Sequence, residues 1–234
     1  MNRNQSFKEL KAKARKSLEG NYGHAISLLI SMELIRLLPA YVIMPVFSES
    51  NLFNIIGSEI VNFILTAFLQ ILQVGVCFFY MKLQCNQPAK TTDLFYGFKL
   101  DRNTVLTVGL IFTSISFVTN LPALVISYTS ANLYLAYCLL FGGIILNFLI
   151  VIPIRQSYYI LLDFPDSDPK QAMLFSIKLM CGNYIRYIFL ILSFFPLILI
   201  SFLCCGIGLL WVLPYMDATL TAFYFDLISN HNKQ

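Results

Sequence analysis

Of the chain's 234 residues 58% are hydrophobic and only 12% charged, and the mean hydropathy is +0.72. A water-soluble domain of this length cannot be so apolar, so the chain belongs in a bilayer. The net charge of +4 sits on the flanks of the apolar runs, which accounts for it without nucleic acid, and no glycine loop of phosphate-binding spacing occurs.

A spanning helix needs roughly 20 mainly apolar residues. Six runs can serve: 24–46, 55–81, 104–128, 131–154, 185–204 and 207–228. The expected fold class is all-α, a polytopic membrane helical bundle of about six transmembrane helices in a single domain. Residues 1–23 form a cytoplasmic amphipathic helix, 24–81 a first hairpin and 82–160 a second segment and hairpin. Residues 161–184 form a cytoplasmic linker and amphipathic helix, and 185–234 a third hairpin and tail. The N-terminus leads into a charged helix, so no cleavable signal peptide is expected. Fifteen of the sixteen Lys and Arg residues lie in alternate segments, Arg36 being the exception. The loops near residues 48–54, 128–132 and 204–206, which hold Glu49 but no Lys or Arg, are the opposite set. By the positive-inside rule both termini are cytoplasmic.

In chain order, Ser6 and Glu9 have the spacing of a capping box, and Gly20 suits the left-handed position after the helix. Phe7, Leu10, Ala14 and Leu18 form one apolar stripe, with Lys8, Lys13, Arg15 and Lys16 around it. Such a helix is expected to lie on the cytoplasmic leaflet, as an ordinary positive-inside flank or, on the sharper reading, as a sensor of anionic lipid. The first span holds Glu33 and Arg36 at i, i+3, a spacing that lets them shield one another, and Pro39 is expected to kink it. Between the second and third spans, residues 92–98 form an aromatic interfacial segment. The third span carries Thr107, Thr113, Ser114, Ser116, Thr119 and Asn120, which are expected to face other helices as polar glue or to line a polar path. In the fourth, Gly142-Gly143 allow close helix approach and Pro153 bends the chain.

Asp168-Pro169 opens a second amphipathic helix with the N-cap and first-turn residues such a start prefers. Lys170 and Lys178 are its candidate lipid contacts. Residues 169–181 and 7–19 are segments of equal length, and each runs into Gly-Asn-Tyr and then an apolar run. The match points to a parallel internal repeat of surface helix plus helical hairpin. In the last span, Asp217 is expected near mid-membrane, facing the bundle interior and either paired with Arg36 or protonated.

The segment from Lys11 to Tyr22, Leu94-Phe95-Tyr96-Gly97-Phe98, residues 159–163, residues 172–182 with Ser176 and Met180, and residues 208–215 with Trp211 and Pro214-Tyr215 together resemble the bacterial integral-membrane family known as domain of unknown function 975. The resemblance spans nearly the whole chain. It implies a multi-pass protein of the bacterial plasma membrane with no catalytic residues to carry over. Pro153-Ile154 departs from the family's Pro-Gly at that place.

The two histidines, His24 and His231, lie at the cytoplasmic side, and the six cysteines form no Cys-x-x-Cys pair. No metal site, cofactor or catalytic residue is therefore expected, and the chain reads as a non-enzyme. Two readings remain. The first is an accessory component of envelope, transport or resistance machinery that binds anionic lipid or a membrane-protein partner, and no nucleic acid. The second is a small transporter or channel whose path is lined by Glu33, Arg36 and Asp217. A hydrated cavity reaching Asp217 would favour the second, a packed centre with paired charges the first.

Overall fold

The computed structural model describes residues 5–46, 52–129 and 133–231, and the loop with Glu49 and the residues around 130–132 lie outside them. The described residues are almost entirely helical. The elements are α1 (Phe7–Leu18), α2 (Tyr22–Val46), α3 (Leu52–Gln84), a 3₁₀ segment (Thr91–Phe98), α4 (Arg102–Thr129), α5 (Leu133–Val151), a 3₁₀ turn (Ile152–Ile154), α6 (Ser157–Asp163), α7 (Pro169–Met180), α8 (Tyr184–Leu192), α9 (Phe195–Leu203) and α10 (Leu209–His231).

Both surface helices form where the spacing places them. The capping box closes reciprocally, Ser6 N–H donating to Glu9 Oε2 (2.7 Å) and Glu9 N–H to Ser6 Oγ (3.3 Å). At α7, Asp168 occupies the N-cap without a side-chain cap bond, and Pro169 begins the helix. The two helices end alike. Glu19 (φ −57°, ψ 125°) precedes Gly20 at φ +77°, and Cys181 (φ −56°, ψ 123°) precedes Gly182 at φ +80°. Asn21 N–H donates to Leu18 O (2.9 Å) and Asn183 N–H to Met180 O (2.8 Å). These are type II turns, whose third residue needs positive φ and hence glycine. The buried positions also correspond: Leu10, Ala14, Ser17 and Leu18 in α1, and Ala172, Ser176, Leu179 and Met180 in α7, each pair 162 residues apart.

Four stretches are long and apolar enough to cross a membrane: Ile56–Gln84, Asn103–Ser127, Tyr134–Asp163 and Tyr184–Leu203. The first and sixth of the expected runs, in α2 and α10, are not among them. Polar residues are the reason in α10, which carries Asp217, Asp226 and several threonines, whereas most side chains of α2 beyond Leu37 lie outside the described residues. Furthermore α10 is buried at most positions between 214 and 227, so it packs as a central helix inside the protein. α5 is the reverse case, with Tyr134, Phe141, Ile145 and Leu149 all facing outward.

The fifth run is not one helix. α8 stops at Leu192 and α9 starts at Phe195, because Pro196 has no N–H to give the carbonyl four residues back and its ring crowds that position. The Pro153 bend expected in the fourth run is realised as the 3₁₀ turn between α5 and α6.

Each surface segment docks on the helix returning from the preceding hairpin: the 3₁₀ segment on α3, α7 on α6, and α1 on α10, which closes the ring. The tightest of these contacts is between α3 and the 3₁₀ segment. A Cβ at Gly75 would stand 1.8 Å from Leu94 O, and one at Gly97 would stand 2.2 Å from Ile71 O. Phe78 stacks on Tyr96 (centroids 3.5 Å apart), and Lys82 pairs with Asp93 at 2.9 Å. Between α4 and α5, only the second glycine of Gly142-Gly143 serves close approach, lying against Thr119 O, while Gly142 faces open space.

The polar stripe of α4 acts differently from the expected glue. Thr107, Thr113, Thr119 and Asn120 return their hydrogen bonds to carbonyls of their own helix, the nearest acceptors in apolar surroundings. Among the described residues, only Ser116 of the stripe bonds across, accepting from Asn147 Nδ2 at 2.8 Å.

Candidate functional site

Gln70, Gln73, Cys77 and Tyr80 recur along one face of α3 at a spacing of three and four residues. That face lines a cavity of about 330 Å³. Opposite stand Arg36 from α2, Arg155 from the link between α5 and α6, and Asp217 from α10. An adjoining hollow of about 170 Å³ shares Arg36, Gln73, Tyr80, Arg155 and Asp217 and adds Glu33. Asp217, far along the chain from Glu33 and Arg36, therefore borders the same hollow as both of them.

The pairing inside it differs from expectation. Arg36 Nη1 bonds Glu33 Oε1 at 3.1 Å, as the i, i+3 spacing implies, with both side chains about half exposed. The expected pair between Arg36 and Asp217 does not form: one turn of α2 holds Glu33 beside Arg36 more closely than α10 can bring Asp217. The cation whose field bears on Asp217 is Arg155. Neither the Arg155 guanidinium nor the Asp217 carboxylate makes a hydrogen bond or contact ion pair with another described residue, and the Tyr80 hydroxyl is buried without a partner. Arg155 retains accessible surface although protein surrounds it, because the cavity reaches it.

The cavity wall is built by tyrosines. Tyr158 OH donates to Gln70 Oε1 (2.8 Å), the Tyr159 hydroxyl bonds that of Thr221 (3.1 Å), and Tyr159 stacks on Tyr224 (4.9 Å). These contacts fix α6 between α3 and α10. A further hollow of about 310 Å³ runs between α3 and α4, lined by Glu59, Asn62, Thr66, Thr113 and Asn120, and Ser116 borders both it and the main cavity. The α4 stripe thus borders a hollow whose wall is mainly apolar, with Phe63, Phe117, Leu121 and Leu124 beside the polar side chains.

Arg155 reads in sequence as one more flanking cation, since nothing local distinguishes it. The α3 stripe, not anticipated from the sequence, does leave a signal there: four polar or small side chains at helical spacing inside an apolar run.

The candidate lipid contacts Lys8, Lys13, Arg15, Lys16, Lys170 and Lys178 are all exposed. The apolar stripe of α1 is not free for lipid, however: Leu10, Ala14 and Leu18 have no exposed surface, because the stripe packs on α10 and α3. Gln5, at the start of α1, is held by Arg186 and Asp226. Arg186 pairs with Asp226 (2.5 Å) and donates to Gln5 O (2.6 Å), and Gln5 N–H donates to Asp226 Oδ1 (3.4 Å). Among the described residues no group of three or more His, Cys, Asp or Glu side chains could hold a metal ion.

An all-helical chain with four helices able to cross a membrane, folded about a central charged helix, has the architecture of a polytopic helical membrane protein. The chain belongs to the family described as protein of unknown function (DUF975), which matches residues 1–231. No curated protein and no solved structure matches it.

Proposed function

We propose that this is a non-catalytic, six-pass bacterial plasma-membrane protein with both termini cytoplasmic, which binds and passes a small charged solute through its polar cavity. The observation that carries this reading is that Arg155, Asp217 and Tyr80, none with a hydrogen-bond or contact ion-pair partner for its polar side-chain group among the described residues, line one cavity. Removing a charge from water costs roughly several kcal/mol per ion unless a partner compensates it, and charges kept inside a membrane domain on such terms mark substrate or ion pathways. The hollow that holds Glu59, bordered like the main cavity by Ser116, offers a continuation along α3 and α4. α2 and α10 complete the six crossings, α10 as an inner helix and α2 at the edge of the bundle with Ile30, Leu34, Leu37 and Tyr41 exposed. Three units of surface segment plus hairpin, arranged head to tail, account for the ring of docking contacts and for the matching ends of α1 and α7. The six exposed cations contact anionic lipid at the cytoplasmic leaflet, where each is worth about 1 kcal/mol.

The test is access to the cavity. Val151 borders it, so Val151→Cys in a chain whose native cysteines are replaced is exposed to a neutral, membrane-impermeant thiol reagent in proteoliposomes. Modification at a rate like that of a surface cysteine is expected. A cysteine that stays unmodified while the protein remains folded would sink the reading and return the chain to the accessory class.

A further inference from the structure

Within the cavity, Arg36 is compensated by Glu33 at 3.1 Å. What remains is one cation, Arg155, and one anion, Asp217, which feel one another's field but form no contact ion pair, on walls built by different parts of the chain. A solute that carries only positive charge meets Arg155 as a repulsion. One that carries only negative charge leaves Asp217 uncompensated. An uncharged polar solute compensates neither. A molecule with an oxyanion at one end and an ammonium at the other answers both at once, and it brings no net charge into the low-dielectric interior.

We infer that the solute is a small zwitterion, its oxyanion group bound by the Arg155 guanidinium and its ammonium by the Asp217 carboxylate. This rests on the solute-binding reading above. The planar guanidinium suits a carboxylate or phosphate, which it can engage through two parallel N–H bonds. Tyr80 OH and the Gln73 amide supply neutral hydrogen bonds between the charged ends, and Phe112, Val76 and Leu220 give the cavity its apolar wall beside further polar groups such as Ser116 and Asn147. About 330 Å³ lies at the lower end of small-molecule sites, which limits the zwitterionic part to a few heavy atoms along its chain. The same chemistry occurs in soluble amino acids and in the headgroup of phosphatidylethanolamine.

Protection of the cavity cysteine tests this. The full-length Val151→Cys protein is placed in nanodiscs of phosphatidylglycerol alone, and its modification rate is followed with β-alanine, γ-aminobutyrate or δ-aminovalerate, or with the matching carboxylates and amines that carry one charge only. At least one amino acid of the series is expected to protect at a concentration about tenfold below its single-charge analogues. Asp217→Asn should abolish that preference, so that amino acid and carboxylate protect alike, whereas Asp217→Glu should keep it with a shifted optimum of chain length. Should Asp217→Asn fail to fold, Arg155→Gln gives the converse test, equalising amino acid and amine. Protection by phosphatidylethanolamine added to the nanodisc, with no soluble probe, would support the inference and assign the zwitterion to lipid. If the cysteine reacts freely and neither a soluble zwitterion nor phosphatidylethanolamine outperforms the single-charge analogues, the zwitterion assignment is overturned and solute access stands. An unreactive cysteine overturns both.

Discussion

The ammonium of Lys11 in α1 donates to the carbonyl of Ser193, at the break between α8 and α9, at 3.1 Å, and lies 4.3 Å from the centre of the adjoining Phe194 ring. Pro196 interrupts the helical bond pattern at that break, and a lysine 182 positions earlier in the chain helps to satisfy it. Burial draws the Lys11 ammonium below the usual lysine range, the sign of a cation held against protein. Lys11→Met keeps the aliphatic stem but loses the charged hydrogen bond and the ring contact. A loss of about 1–2 kcal/mol is expected, read as a lower unfolding midpoint in mild detergent together with faster amide exchange around residues 193–195. A variant as stable as the parent would mean that the break is satisfied without α1.

Gly75→Ala places a methyl group where Leu94 O already stands. A backbone carbonyl cannot move aside as a side chain can, so the 3₁₀ segment must lift from α3. The expected cost is about 3 kcal/mol, the upper range for overpacking. Gly142→Ala, which meets open space, serves as the control and should be close to neutral. Thermal unfolding of the two variants side by side distinguishes these outcomes.

Arg186 and Asp226 tie α8 and α10 to Gln5, and Asp226 is only 2% exposed. Arg186→Met strands the carboxylate and should cost about 3–5 kcal/mol. Replacing both, with Arg186→Met and Asp226→Leu, should recover a large part of that loss, because two apolar groups need no counter-charge. If the double variant proved no more stable than Arg186→Met, the cost would lie in the bond to Gln5 and not in the buried charge.

Asp101 caps α4 from outside the membrane-spanning stretch. Its carboxylate accepts first from the Thr104 hydroxyl (2.6 Å) and then from the Thr104 N–H (3.1 Å), and these bonds hold it below the usual carboxylate range. A carboxylate whose folded value is depressed contributes stability above the unfolded value of about 3.9, and that contribution is lost as pH falls through the folded value. The N-terminal turn of α4 should therefore loosen below about pH 3.9. In Asp101→Asn this part of the pH dependence should vanish, since the amide oxygen still caps but no longer titrates. Amide exchange of Thr104 and Val105, corrected for intrinsic rates, is the measurement.

Features that depend on neighbours in the chain were legible without the fold. The capping box at Ser6 and Glu9, the glycine turns after α1 and α7, the bend at Pro153 and the Glu33–Arg36 pair each arise within a few residues, where backbone geometry leaves few alternatives. Hydropathy likewise identified the bilayer as solvent, because it sums over a whole stretch. Tertiary packing decided the rest. It buried the amphipathic stripe of α1 against α10 when the same stripe could equally have met lipid, since a hydrophobic face specifies that it be covered and not by what. It also took Arg155, one cation among many on the flanks, and set it in the lining of one cavity with Asp217 and a row of α3 side chains. Long-range juxtaposition of charge is a property of how helices pack, and it leaves no periodic mark on the chain.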